Sequence, residues 1–439
     1  MADLRAGRKR VVVIGAGFAG YHCLRTLERQ LPADVAELVV VSPTDYMLYI
    51  PLLPEVAGGV LEPRQVAVPL RVKLPRTRLQ LGMVTAIDLA GRHLTVVNDE
   101  GHAVELAFDH LVITSGSVTR LLSIPGVADY AKGFKSVAEA IYLRDHILRQ
   151  LEYADLAETE EERTARMTFV VVGAGYTGTE LVAQGQQLTK QATKKRRGRP
   201  ATAARWVLVD TASRVLPGLS ERLAGPALKV LRNRGVDVRL ETSVSKVTAT
   251  SVSLTDGSEI PTRTVAWCVG VRPDPLVEPL GLPTTKGRLN TDEFLAVPGF
   301  PDVWAAGDVA AVPDLTRPGE ITAMTAQHAQ RQGVALAHNI AAAFGRGTAK
   351  AYKHSDLGFV VDLAGLQAVA DPLHIPLSGF PAKVVARGYH LLALPANRLR
   401  VATSWLTDLL ARRQLVHFGV IPESGVSLAE ADERPTVTS

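Results

Sequence analysis

Two stretches of the chain run apolar without alternation and then break into glycines. Residues 10–20 read RVVVIGAGFAG and residues 168–178 read TFVVVGAGYTG, so the two units start 158 positions apart. An unbroken β-branched run predicts a parallel strand buried on both faces, and the pattern after each glycine cluster is that of a helix. Around these units the pattern predicts strands at 92–97 and 111–115. A charge-rich segment at 139–166 reads as a solvated helix with a surface turn. Beyond the second unit it predicts a strand at 206–210, a helix at 220–234, and alternating segments at 236–240, 251–254 and 264–269. A strand at 303–306 then ends in Gly307-Asp308, and a helix follows at 323–344.

Strands alternating with helices predict an α/β fold, and the repeated unit predicts two nested Rossmann-like dinucleotide-binding domains. The expected division is a first domain at 1–125, resumed at 285–345, a second at 126–284, and a C-terminal helical capping region at 346–439. In the first unit, Gly15 permits the tight turn, Gly17 lets a pyrophosphate approach the backbone, and Gly20 lets helix and strand pack. The free amides of the helix start attract the phosphate charge. A carboxylate on the next strand end would hold a ribose, but there the chain has Ser42, with Asp45 read as a loop residue. Gly173, Gly175 and Gly178 repeat the logic, and this time the next strand ends in Asp210. An acid there favours NADH, while Arg214 is placed to meet a 2′-phosphate. Glu180 reads either as dipole compensation in the first helical turn or as a carboxylate beside the nicotinamide. Two such sites suggest two cofactors, one passing hydride to the other. Asp308, at a strand end before a helix, suits the ribityl hydroxyls of a flavin.

Composition narrows the field. Apolar residues make up 46% and charged residues 21%, the balance of a globular chain, and the net charge of +5 suits anionic cofactors or an anionic membrane without requiring nucleic acid. Cys23 and Cys268 are the only cysteines. They form no CxxC pair and are expected to be small buried hydrophobes, which argues against a disulfide framework, a structural zinc site or a redox dithiol, and no metal site is expected. No run of about 18 apolar residues predicts a spanning helix. The basic stretch 190–205, with RGRP at its core, reads as a solvated loop, with weak contact to anionic lipid as the next reading.

Taken in order, these motifs resemble the type II NADH dehydrogenases within the pyridine nucleotide-disulfide oxidoreductases, a glutathione-reductase-like fold. The resemblance spans residues 9–418. It rests on IGAGFAG, on the PLL-VA-G stretch at 49–59, and on ITSGS at 113–117. It continues through VGAGYTGTEL, WCVGVRP at 267–273, AAGD, and TAQHA at 325–329. It implies a non-pumping NADH:quinone oxidoreductase with non-covalent FAD. Gly15, Gly17, Gly20, Ser42, Thr114, Gly116, Gly307 and Asp308 would serve FAD. Gly173, Gly175, Gly178, Glu180, Asp210 and Gly270 would serve NADH. Ala326 and Gln327 would open the helix facing flavin and quinone, with Glu180 and Gln327 the catalytic pair. The family has a second Gln where this chain has Arg331, and Gln330 and Gln332 flank it as substitutes.

The resemblance also implies membrane docking through C-terminal amphipathic helices, expected at 382–394 and 399–413. Val384, Val385, Tyr389, Leu392, Trp405, Leu406, Leu409 and Leu410 would meet lipid, and Lys383, Arg387, Arg398, Arg400, Arg412 and Arg413 its headgroups. A capping or homodimer helix pair is the alternative. The expected place is peripheral, at the cytoplasmic face of the cell membrane, without nucleic acid. A soluble reductase of a small redox protein and a non-enzymatic flavoprotein sensor remain as other functions. A sulfide:quinone oxidoreductase or a disulfide reductase lacks its cysteines.

Overall fold

Each glycine cluster leaves the carboxyl end of a central strand in its own parallel sheet. In the computed structural model, which describes residues 8–194 and 203–429, the first sheet has six strands. Their spatial order is Ala296–Val297, Phe300–Ala305, His110–Ile113, Lys9–Ile14, Ala36–Ser42 and Thr77–Leu81, parallel except for the first pair. The second sheet is parallel throughout, in the order Lys132–Gly133, Thr264–Trp267, Thr168–Val172, Arg205–Val209 and Val236–Arg239. Val11, Val12, Val13, Val170 and Val171 are wholly buried, as continuous β-branched strands must be when both faces are covered.

Helix Phe18–Gln30 packs on helix Ala326–Ala343, and the crossing is tight. A Cβ on Gly333 would lie 2.2 Å from the Ala19 carbonyl oxygen, so a larger residue would drive the helices apart. This contact ties the start of the chain to the segment that returns after the second sheet. Between the sheets the chain crosses once in each direction. The outgoing strand Ser117–Thr119 pairs antiparallel with the returning strand Val271–Pro273. Asp274 N donates to Gly116 O at 3.1 Å, and Arg120 N to Gly270 O at 3.1 Å. The ladder therefore joins the carboxyl ends of His110–Ile113 and Thr264–Trp267, the ends at which ligands bind in open α/β sheets.

The charge-rich segment is not the solvated helix its composition suggests. It forms Val137–Asp155 and Glu160–Met167, and in the first of these Arg144, Asp145, His146 and Gln150 are buried. Their polarity is satisfied internally. Asp145 accepts the Phe418 and Gly419 amides at 3.0 and 2.8 Å, and His146 Nε2 meets Thr264 Oγ1 at 2.9 Å. The basic stretch is shorter than expected: residues 190–193 finish helix Tyr176–Thr193 and Arg205 opens a strand. RGRP lies outside the described residues.

The C-terminal region adds a small antiparallel sheet, Val360–Asp362, Ala368–Ala370 and Leu377–Ser378, and two helices, Phe380–Ala393 and Arg398–Leu410. Three residues expected at the membrane face point inward instead. Lys383 is buried against Asp362, and Trp405 is buried with its indole N–H on Glu55. Each has a buried carboxylate to meet, which a lipid surface would not supply. Arg413 also turns inward, paired with Asp408 and donating to Gly58 O. No described helix is long and apolar enough to cross a membrane.

Candidate active site

In the first glycine turn, two positions are sealed by backbone and one is open. Gly15 has φ +91°, and a Cβ there would lie 2.4 Å from Thr114 O; one on Gly20 would lie 2.0 Å from Gly15 O. A Cβ on Gly17 would meet nothing within 4 Å. Gly17 caps helix Phe18–Gln30 with no side chain over its amides, so the open cradle presents free N–H groups to an anion. Thr114 stitches this turn rather than facing outward: its hydroxyl donates to Ile14 O at 2.7 Å. Ser42 stands buried at its strand end, where its Oγ accepts from Thr44 N at 3.3 Å and keeps its own proton to donate.

Asp308 stands in the turn after strand Phe300–Ala305, and Ser117 donates to its Oδ2 at 2.7 Å. Lys135 Nζ donates to Ser117 Oγ at 2.6 Å, completing a chain from cation through hydroxyl to carboxylate. Burial lowers the Lys135 ammonium to about 8, against the opposing pull of Asp308, Glu139 and Asp274. Gly307 N donates to Gln332 Oε1 at 2.8 Å, and Gln332 Nε2 to Thr322 Oγ1 at 2.9 Å. Gln332 is therefore spent on holding the Gly307-Asp308 turn and does not replace the Gln absent at Arg331. An open anion cradle, a strand-end hydroxyl and a positioned aspartate fit the pyrophosphate, ribose and ribityl chain of FAD.

The second turn repeats the geometry. Gly173 has φ +104°, and a Cβ there would lie 2.3 Å from Cys268 O; one on Gly178 would lie 1.8 Å from Gly173 O, while Gly175 is open. Asp210 Oδ2 accepts from Ala174 N at 2.5 Å and Oδ1 from Ala212 N at 2.7 Å. The carboxylate thus holds the glycine turn while lying at the strand end where a ribose would sit. Arg214 turns away, donating to Pro217 O at 3.2 Å. Cys268 is only part-buried rather than a core residue, its thiol pushed up to about 12 by burial, and Cys23 is wholly buried. Both are free, and among the described residues no group of three or more potential ligands could hold a metal ion.

Glu180 is the fifth residue of helix Tyr176–Thr193, beyond its first turn, so dipole compensation does not account for it. It is buried and accepts the Asp362 amide at 2.7 Å. Burial first, then Asp362 and Glu55, hold its carboxyl well above the usual range despite that amide and Lys383. Helix Ala326–Ala343 starts three residues later than expected, capped by Thr325, whose Oγ1 accepts from His328 N at 3.2 Å. Gln327 Nε2 donates to Gly358 O at 2.7 Å, and its Oε1 is buried without a partner. The free atom is thus an acceptor. One turn on, Arg331 donates to Ser355 O and lies 3.4 Å from His354 Nδ1, held by the loop beside it.

The pyridine nucleotide-disulphide oxidoreductase family profile matches residues 9–333. The type II NADH:quinone oxidoreductase Ndh of Mycobacterium tuberculosis is 32% identical over 93% of this chain and 89% of its own. The chain belongs to the type II NADH:quinone oxidoreductases within that family. Demethylphylloquinone reductase NdbB of Synechocystis, also 32% identical, aligns over 91% of this type II chain and 96% of its own. The solved NDH2 of Plasmodium falciparum in complex with NADH shares the fold, with a TM-score of 0.85 over 93% of this chain and 99% of that one, at 17% identity. Several residues packed around this type II site carry no local signal in the sequence. Lys135 gave no local signal, because a lone lysine before a capping box looks solvated. Glu55 and Asp362 lie 307 positions apart and meet only in three dimensions.

Proposed function

We infer that the chain is an FAD-dependent NADH:quinone oxidoreductase that does not pump protons. The observation that carries this is the pair of open glycine cradles, Gly17 and Gly175, at the carboxyl ends of two sheets joined by one antiparallel ladder. Residues 1–125 and 285–345 form the FAD domain, 126–284 the NADH domain, and 346–439 the cap. Gly15, Gly17, Gly20, Ser42, Thr114, Gly116, Gly307, Asp308 and Ala326 shape the flavin site, with Lys135 fixing Asp308 through Ser117. Gly173, Gly175, Gly178, Asp210 and Gly270 shape the nucleotide site. Bound FAD supplies the exchange between a hydride donor and a two-electron acceptor. The protein aligns the partners and excludes water. Glu180 orders the nucleotide side, and Gln327 offers its free Oε1 to a reduced quinone's hydroxyl.

The cap docks on an anionic membrane at the cytoplasmic face. Support comes from Val384, Leu392, Leu399, Leu406, Leu409 and Leu410, all more than half exposed on the two helices, with Arg398, Arg400 and Arg412 exposed nearby. A homodimer through this strip is the competing reading, and gel filtration of the detergent-free protein separates the two. The acceptor is tested by NADH oxidation with a quinone, a ferredoxin-type protein and oxygen side by side. Quinone is expected to be fastest, and Gln327→Ala to impair that turnover about 10-fold or more. A faster ferredoxin reaction would replace the quinone reading with that of a soluble reductase.

A further inference from the structure

Where the cap meets both nucleotide domains, three carboxyl groups and one ammonium are buried together. Glu55 comes from the short helix Leu53–Ala57, Glu180 from Tyr176–Thr193, Asp362 from the cap sheet and Lys383 from Phe380–Ala393. All but Asp362 are more than nine-tenths buried, and the Asp362 side chain is 12% exposed. Lys383 pairs directly with Asp362, whose other oxygen accepts the Ala364 amide at 2.6 Å and Gln184 Nε2 at 3.4 Å. That pair is neutral as a unit. Glu180 has the Asp362 amide, and Glu55 has the Trp405 indole N–H. Neither has a cation of its own, and an ionised carboxylate without one is costly to bury.

The other groups facing this cluster do not change the balance. Arg387 lies over the Trp405 ring at 5.0 Å, rather than against Glu55. Arg234 donates to the Leu363 and Ala364 carbonyls. His390 is buried, with Nδ1 3.2 Å from Tyr49 OH, and burial lowers it to about 4, so it is neutral near pH 7. Glu55 is the member bonded to helix Arg398–Leu410, whose outer side carries exposed Leu406, Leu409 and Leu410. It therefore stands between the nucleotide domains and the face an apolar acceptor would approach.

We propose that Glu55 is the group of this cluster that supplies the proton that quinone reduction consumes. The proposal rests on the quinone reading above. In that reaction NADH, one proton and a quinone give NAD⁺ and a quinol. The hydride carries two electrons and one hydrogen, and the remaining proton must come from the protein or solvent. Trp405 donates to Glu55 Oε2, which leaves Oε1 to carry it. After transfer, Glu55 is a carboxylate and regains its proton from water. Burial, then Asp362, raise this carboxyl to about 7 against Lys383, the Trp405 hydrogen bond and Arg387, so it can both hold and release a proton near neutrality.

The test uses full-length holoenzyme and E55Q, which keeps the side-chain shape and an acceptor for Trp405. A water-soluble quinone takes two electrons and two protons, whereas ferricyanide takes electrons alone. E55Q is expected to lower quinone turnover at least about 10-fold, in line with loss of a proton donor, and ferricyanide turnover by less than about two-fold. Infrared difference spectra of the wild type should show a carboxylic C=O band that titrates near pH 7 and is absent from E55Q. Equal losses with both acceptors, no loss with either, or no such band would overturn the proposal. If the wild type reduces ferricyanide but no quinone, the acceptor reading fails on its own. The band then decides whether Glu55 holds a proton: its presence upholds the site, and its absence removes it.

Discussion

At the scale of single residues, the site depends on a few side chains whose partners lie far along the sequence. Lys135 reaches Asp308 only through Ser117, and its desolvation is tolerated because three carboxylates lie near it. Lys135→Met should weaken FAD binding about 10-fold, the order expected for losing a charged hydrogen bond, and fluorescence of flavin released on dilution measures it. Unchanged retention would leave Lys135 a structural tether. Asp210 holds the second glycine turn, and on the proposed reading it would also repel a 2′-phosphate. Asp210→Ala should cut kcat/KM for NADH more than for NADPH, narrowing a preference for NADH. A wild type that prefers NADPH would contradict this placement. The glycines of both turns were legible in the sequence because each has a steric reason visible in its spacing. Lys135, Glu55 and Asp362 were not, since nothing local distinguishes a buried ionisable side chain from a solvated one.

At the scale of elements, the strands were the most legible, because a β-branched run without alternation has few alternatives to a buried parallel strand. The segment 251–254 is observed as Ser251–Leu254, and most other strands shift by one to three residues at an end. Amphipathic helices were read less well. Lys383 and Trp405 count as polar flank and lipid anchor by composition, yet both are buried, and helix Val137–Asp155 hides charges that looked solvated. Their burial depends on partners on other elements, from 21 positions away for Lys383 and Asp362 to 350 for Trp405 and Glu55. It also changes how docking is tested: truncation from Gly379 would remove Lys383, His390, Val401 and Trp405 from the interior along with the exposed strip. Leu406→Asp with Leu410→Asp leaves the interior intact. Each leucine forfeits ~2 kcal/mol of apolar burial in lipid, so binding to anionic liposomes should fall more than about 100-fold with little change in Tm. Equal cosedimentation of variant and parent would contradict membrane docking by this face.

At the scale of the whole molecule, two sheets, a ladder and a cap are held together partly by neutral buried histidines. His146 and His390 are both lowered to about 4, chiefly by burial. A base depressed in the folded state stabilises above its unfolded value near 6.5, and that contribution is lost as pH falls toward 4. Each shift corresponds to ~3 kcal/mol if fully realised. The raised carboxyls of Glu55 and Glu180 act oppositely over this range, binding protons more readily folded than unfolded. His22 and His328 are also lowered to about 4, so four histidines act against two carboxyls, and the Tm should drop between pH 6.5 and 4.5 by less than the histidines alone would give, with E55Q dropping further than the parent. A Tm that rises on acidification would show that the carboxyls dominate. The central claim is electron passage from NADH through one bound flavin to a quinone, and anaerobic single turnover tests it most directly. Stoichiometric NADH should bleach the yellow absorbance of the purified protein, and a quinone added without oxygen should restore it within the turnover time. A protein that NADH does not bleach, or that stays bleached in the presence of quinone, would contradict the account.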